Sequence, residues 1–190
     1  MDYKGRAQCL VIRDNKILMV KHKHSENEWH YCLPGGGIEK GETPEQAAIR
    51  ELQEECLVSC KIIKKVSEYV DSFDWGCGDY HSIYTFQADI GGQNPILGKD
   101  PELSQNNQIL NEVRWLSLNE ISERDRAFLW AAGLLSIGQF ADELLSWSSD
   151  ISYPPKWREN LWEDLTIDEV FERAKKAQAK YGVPDGVEII

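Results

Sequence analysis

The stretch "LPGGGIEKGETPEQAAIRELQEECLV", residues 33–58, constrains this chain more than any other. Three consecutive glycines end a short strand-like run, "EWHYCLP", and a helix with a defined start follows. Thr43 suits the N-cap, Pro44 the first helical position, and Gln46 completes a capping box, so the helix is expected to run from residue 44 to about residue 57. At about 3.6 residues per turn, Glu51, Glu54 and Glu55 fall within an arc of roughly 100°. Ala48, Ile49, Leu52 and Cys56 gather on the neighbouring face, which suits packing on a sheet. Carboxylates so placed repel one another, and folding alone does not ask for that cost. The helix is either a solvated acidic face, partly neutralised by Arg50, or one that holds something positive. The glycines favour the second reading, since they let backbone approach a ligand closely.

The rest of the chain reads as mixed α/β. Residues 7–13 and 16–21 form two strands joined by a tight Asp14-Asn15 turn. "CKIIKKVSEYV", "YHSIYTFQADI" and "EVRWLSL" are strand-like, and "DSFDWGCGD" is a loop with aromatic residues. "GGQNPILGKDPELSQNNQ" reads as a long polar connection, and residues 119–147 as mostly helix, broken near Gly133 or Gly138. After a linker, "DISYPPKWREN", a last helix at about residues 167–181 starts at Thr166 with a capping box to Glu169 and ends at Gly182 and Pro184. Its apolar stripe must be buried, on the main domain or on a second copy in a homodimer.

Charge and cysteines exclude some classes. A net charge of −11 argues against a nucleic-acid polymer as partner. A small anionic substrate stays compatible, because a bound divalent cation reverses the local sign. Five cysteines without C-x-x-C spacing fit free thiols in a reducing cytoplasm. The N-terminal residues lack a signal pattern, and the longest apolar run, "FLWAAGLLSIG", is about half a membrane span. No membrane association is expected. His22, His24, His30 and His81 show no ligand spacing, and Trp29 and Trp115 read as packing residues.

Gly36, Glu42, Arg50, Glu51, Leu52, Glu54, Glu55 and Val58 together match one long spaced pattern. It resembles the Nudix box, G-x5-E-x7-R-E-U-x-E-E-x-G-U, with Leu57 where the family usually has glycine. Six specific letters at fixed spacing coincide by chance about once in ten million windows. The flanking "LPGGG" and "NEVRWLSLNEI" support the match.

The resemblance implies an α/β/α sandwich with a mixed sheet over residues 1–145, followed by a C-terminal helical extension, residues 146–190, that the family does not explain. It implies a metal-dependent pyrophosphohydrolase that cleaves the diphosphate of a nucleoside diphosphate linked to another moiety. Glu54, Glu55 and the Gly35 carbonyl would hold Mg²⁺ or Mn²⁺, and Glu51 would be a further ligand or the base. Arg50 would orient Glu51 through a bidentate pair and lower its pKa, while Glu42 would have a structural or outer role. Gly36, Gly37, Phe73, Trp75 and Glu112 are candidates for facing the substrate. Glu112 is also the first choice for a further acidic residue outside the box, ahead of Asp100 and Glu102. Some ADP-sugar members carry a proline about sixteen residues after the box, and "EYVDSFDWGCG" has none, which counts against ADP-ribose. A rival reading is a Nudix-fold protein that senses a nucleotide without cleaving it. That would predict losses among the box glutamates, and none is lost.

Overall fold

A computed structural model of the chain describes residues 4–140, apart from 27, 71–79, 102, 105–106, 123–124, 127–128, 130–131 and 135–136. The first two strands, β1 (Lys4–Arg13) and β2 (Lys16–Lys23), form the expected hairpin and are longer than the sequence suggested. Asp14 and Asn15 both have positive φ, 50° and 57°, as a two-residue turn matched to strand twist requires. Only Ile12↔Ile17 and Arg13↔Lys16 pair between these strands, after which they splay apart.

The chain from residue 29 to 37 fills that fork. Its first part, β3 (Trp29–Cys32), pairs antiparallel with β2, and its second, β4 (Gly35–Gly37), pairs antiparallel with β1. The glycine run is therefore sheet, held against Arg6, Ala7 and Gln8. At Gly35 any side chain would run into the Ala7 carbonyl and Gln8, so this close approach requires glycine. On the far edge of β1, β6 (Tyr80–Asp89) runs parallel to it and pairs antiparallel with β5 (Lys61–Val70). The last strand, β7 (Leu110–Leu116), pairs antiparallel with β2.

Alternation along β1 and β2 produces two buried faces. Cys9, Val11, Leu18 and Val20 pack under α1 (Pro44–Cys56), against Ala47, Ala48, Leu52 and Cys56. Leu10, Ile17, Met19 and Leu116 lie under the chain that follows β7, including Leu118, Ile121, Leu129, Leu134 and Phe140. The mixed sheet thus separates two apolar layers, the α/β/α arrangement expected. Among the described residues the later layer carries short 3-10 turns at Leu118–Glu120 and Gly138–Phe140. Gly133 has φ 90°, so the helical expectation for 119–147 is interrupted there. The boundary at 145, the extension 146–190 and its helix at about 167–181 lie outside the described residues, as do Phe73, Trp75 and Glu102. No helix among the described residues is long and apolar enough to cross a membrane.

Candidate active site

Both ends of α1 are anchored, by different means. At its start the Thr43 hydroxyl accepts from the Gln46 N–H at 3.2 Å, and the Gln46 side chain accepts from the Thr43 N–H at 2.9 Å. Its final carbonyls are bonded one by one. Gln53 accepts from Leu57 N–H at 3.0 Å, Glu54 from Lys99 at 3.1 Å, Glu55 from Gly98 at 2.8 Å and Cys56 from Ile96 at 2.9 Å. Helix ends normally leave such carbonyls without helical partners. Here the polar connection supplies partners for the last three, and a side chain at position 98 would collide with the Glu54 carbonyl.

Between these anchors, Arg50 organises the carboxylates. Its Nε and Nη2 hold Glu42 in a two-point pair at 3.0 and 3.1 Å, and Nη2 also reaches the Gly37 carbonyl at 2.7 Å. Its Nη1 donates to Glu51 at 2.8 Å and to Glu54 at 3.0 Å. The expected bidentate pair therefore forms with Glu42, while Glu51 receives a single bond. Glu42, which also accepts the Glu39 N–H at 3.0 Å, is the brace that orients Arg50. Gly36 leaves the space into which the Glu51 carboxylate fits, since a Cβ there would overlap it. Gly35 donates its N–H to Glu55 at 2.9 Å. The contacts seen at Gly36 and Gly37 are thus to Glu51 and Arg50.

Glu51 and Glu55 are only 8% and 4% exposed. Burial pushes the Glu51 carboxyl up to about 7 and the Glu55 charge adds to the rise, while Arg50 and Arg6 pull the other way. Arg50 does lower Glu51, as expected, but burial outweighs it and the net shift is upward. Glu55 is also raised to about 7 by burial, with Asp100 and Glu54 acting in the same sense and Arg6 and the Gly35 N–H opposing. Glu42 shows the opposite behaviour: its bonds to Arg50 lower it. Two raised carboxyls mark a place where one positive charge, proton or metal, is favoured. Donors that are all carboxylate or carbonyl oxygen fit Mg²⁺ or Mn²⁺ better than softer ions.

The structure brings Glu51, Glu54, Glu55 and Arg50 together, sets Asp100, a second-choice acidic candidate, near enough to act on Glu55, and adds Arg6, which sequence spacing does not connect to the box. Glu112 does not join them. It pairs across β2 with Lys21 and accepts from the Tyr31 hydroxyl at 2.9 Å. Tyr31 pairs with Lys21 and belongs to the core on the face away from α1. Trp29 is exposed rather than packed, with the Lys21 ammonium 4.1 Å from its ring centre. On the α1 side of the sheet, His22 lies with its Nε2 3.8 Å from Glu55 and 3.3 Å from the Cys32 sulfur. An H-x-H run facing an H-x-C run across a hairpin was the signal for this grouping.

A family model described as the NUDIX domain matches residues 3–136. An ADP-ribose pyrophosphatase from Methanocaldococcus jannaschii is 46% identical over 84 residues, 44% of this chain and 50% of that protein. A mouse diphosphoinositol polyphosphate phosphohydrolase 3-alpha is 38% identical over 87 residues, 44% of this chain and 49% of that protein. The chain spans about half the length of these curated relatives. Among solved structures, the MutT NUDIX hydrolase of Burkholderia pseudomallei aligns with TM-score 0.52 at 20% identity, over 66% of this chain and 95% of that one. A NUDIX hydrolase from Nitrosomonas europaea aligns with TM-score 0.51 at 21% identity, over 63% and 75%. Both likenesses are likenesses of fold.

Proposed function

This chain belongs to the NUDIX domain family, and from that membership we propose that it is a Mg²⁺- or Mn²⁺-dependent pyrophosphohydrolase acting on a nucleoside diphosphate derivative. The observation that carries the reading is the clustering of Glu51 and Glu54 on Arg50 with Glu55 beside them on the Gly35 N–H, Glu51 and Glu55 being buried. Glu54 and Glu55, with the Gly35 carbonyl, would hold the ion. When bound, the ion supplies charge neutralisation for the diphosphate and lowers the barrier to deprotonating water.

The chain's own groups do the rest. Water adds to one phosphorus as the bridging P–O bond breaks, and the two phosphoryl products leave with one proton released. Glu51 either gives the ion a further oxygen or accepts the proton of the attacking water, and a carboxyl near 7 suits the second role. Arg50 fixes Glu51 and Glu54 through one nitrogen, with Glu42 bracing it from behind. Arg6, whose charge reaches both Glu51 and Glu55, would receive a phosphate oxygen. Free Cys9, Cys32, Cys56 and Cys60 fit a reducing cytoplasm.

A hydrolysis panel with Mg²⁺, Mn²⁺ or EDTA tests this directly. It covers nucleoside triphosphates, oxidised nucleotides, ADP-sugars, dinucleoside polyphosphates and diphosphoinositol polyphosphates, because the two relatives above are named for different diphosphates. Metal-dependent cleavage that falls at least about a thousandfold in Glu54→Gln is expected. Nucleotide binding without cleavage anywhere in the panel would support the sensing alternative instead.

A further inference from the structure

Outside the carboxylate cluster, one group of side chains has the composition and placement of a metal site. His22, His30 and Cys32 each offer a ligand atom, all within 4.8 Å of one another, and all three residues are half-buried. Sheet register places them there. His22 pairs directly with His30 and Val20 with Cys32, so the three side chains stand on the same face of β2 and β3. The rings of His22 and His30 lie 5.2 Å apart, and His24 stacks on His30 at 5.4 Å.

The distances discriminate between ions. For tetrahedral zinc, with bonds of about 2.3 Å to sulfur and about 2.0 Å to nitrogen, the sulfur-to-nitrogen edge is about 3.5 Å. The Cys32 sulfur and His22 Nε2 are 3.3 Å apart, so this edge needs almost no adjustment. A thiolate with two imidazoles is a soft set, unlike the all-oxygen donors of Glu51, Glu54 and Glu55. The Cys32 thiol also lies 3.7 Å from the Val20 carbonyl, a long contact that it can give up. Glu55, 3.8 Å from His22, adds negative charge beside the group.

We propose that His22, His30 and Cys32 form a second metal site that takes a thiolate-preferring divalent transition metal of the zinc class. Three protein ligands leave the fourth position to water. On binding, Cys32 gives its proton to solvent and the thiolate bonds to the metal, with no change of oxidation state. The site is distinct in chemistry from the one proposed for hydrolysis and does not depend on that function.

Cobalt titration of the EDTA-stripped full chain tests the assignment, because thiolate-to-cobalt charge transfer reports sulfur ligation directly. One equivalent of Co²⁺ should produce the band, and Zn²⁺ should displace it. Cys32→Ser should abolish the band and His30→Gln should weaken zinc binding at least about tenfold, with circular dichroism checking that each variant is folded. Cys60→Ser and Glu54→Gln should retain both properties. No band in the unmodified chain would leave Cys32 and His22 as a hydrogen-bonded pair and overturn the proposal. So would a band that survives Cys32→Ser, or one lost in Cys60→Ser.

Discussion

The two ends of α1 are built by different physics. Its first turn is closed by residues three apart in sequence, Thr43 and Gln46, with Pro44 preset for the helix. Its last turn is closed by a segment some forty residues downstream, where the N–H groups of Ile96, Gly98 and Lys99 meet the carbonyls of Cys56, Glu55 and Glu54. The first end needs only local sequence to form. The second exists only once the sheet has brought β6 and the connection after it into place. The glutamates proposed to hold metal ride on the second end, so their placement is a tertiary property although their spacing is a local one.

The strongest way to break this contrast is Gly98→Ala. A methyl at that position overlaps the Glu54 carbonyl, so the clamp must open and give up its backbone bonds. Losing three such bonds costs about 2–4 kcal/mol, and a displacement of Glu54 by about 1 Å costs about a hundredfold in turnover. Urea unfolding and turnover measured together check both parts. Full activity in a folded Gly98→Ala variant would show that the clamp does not position the glutamates.

What the sequence made legible divides along the same line. Strand order of appearance, the Asp14-Asn15 turn, the helix start and the shared face of Glu51, Glu54 and Glu55 all follow from short-range periodicity and turn chemistry. Hidden from it were the partners supplied by register and crossover. Arg6 reaches the cluster because β1 pairs with β4, and Cys32 meets His22 because β3 fills the fork beside β2; Asp100, which the sequence offered only behind Glu112, reaches it because the downstream connection returns to α1. Glu112 stands apart from the carboxylate cluster for the same reason, since β7 turns it toward Tyr31 on the other face. Burial of Glu51 was equally invisible, and it reverses the direction in which Arg50 alone would move that carboxyl.

Titration should separate the two ends by sign. Glu51 and Glu55 have folded values raised from 4.5 to about 7, so between those values the folded protein binds more protons than the unfolded chain. In EDTA, stability from these groups is fully present below about pH 4.5 and falls as pH rises to about 7, by up to about 1.4 kcal/mol per group per pH unit. Glu42 acts oppositely: its lowered value gives stability above its ordinary range that is lost on acidification. Mg²⁺ requires the ionised carboxylates, so its thermal stabilisation should grow from about pH 5 to about pH 8. Melting curves in EDTA and in Mg²⁺ across that range read both effects. A Mg²⁺ shift independent of pH would remove Glu51 and Glu55 from the ion.

Thr43→Ala probes the local end and should cost about 1 kcal/mol in urea unfolding. Turnover should change little, because the bonds to Glu54 and Glu55 from Lys99 and Gly98 remain. A loss of activity comparable to that of Gly98→Ala would mean that the two ends act as one unit.

The smallest effect belongs to the residue between the clamp and the next strand. Leu57 caps α1 with φ 53° and ψ 37°, a left-handed conformation that costs an ordinary residue about 1–2 kcal/mol and glycine almost nothing. It is 58% exposed, so its side chain recovers little through burial. Leu57→Gly relieves the strain but loosens the unfolded chain, leaving a net gain of about 0.5–1 kcal/mol. The Leu57 N–H bond to Gln53 is a backbone bond and survives the change. A higher urea midpoint with unchanged turnover would show that strain at this exit is separable from the clamp beside it. A lower midpoint would mean that the leucine, beside the equally exposed Ile96 whose N–H holds Cys56, contributes to the clamp itself.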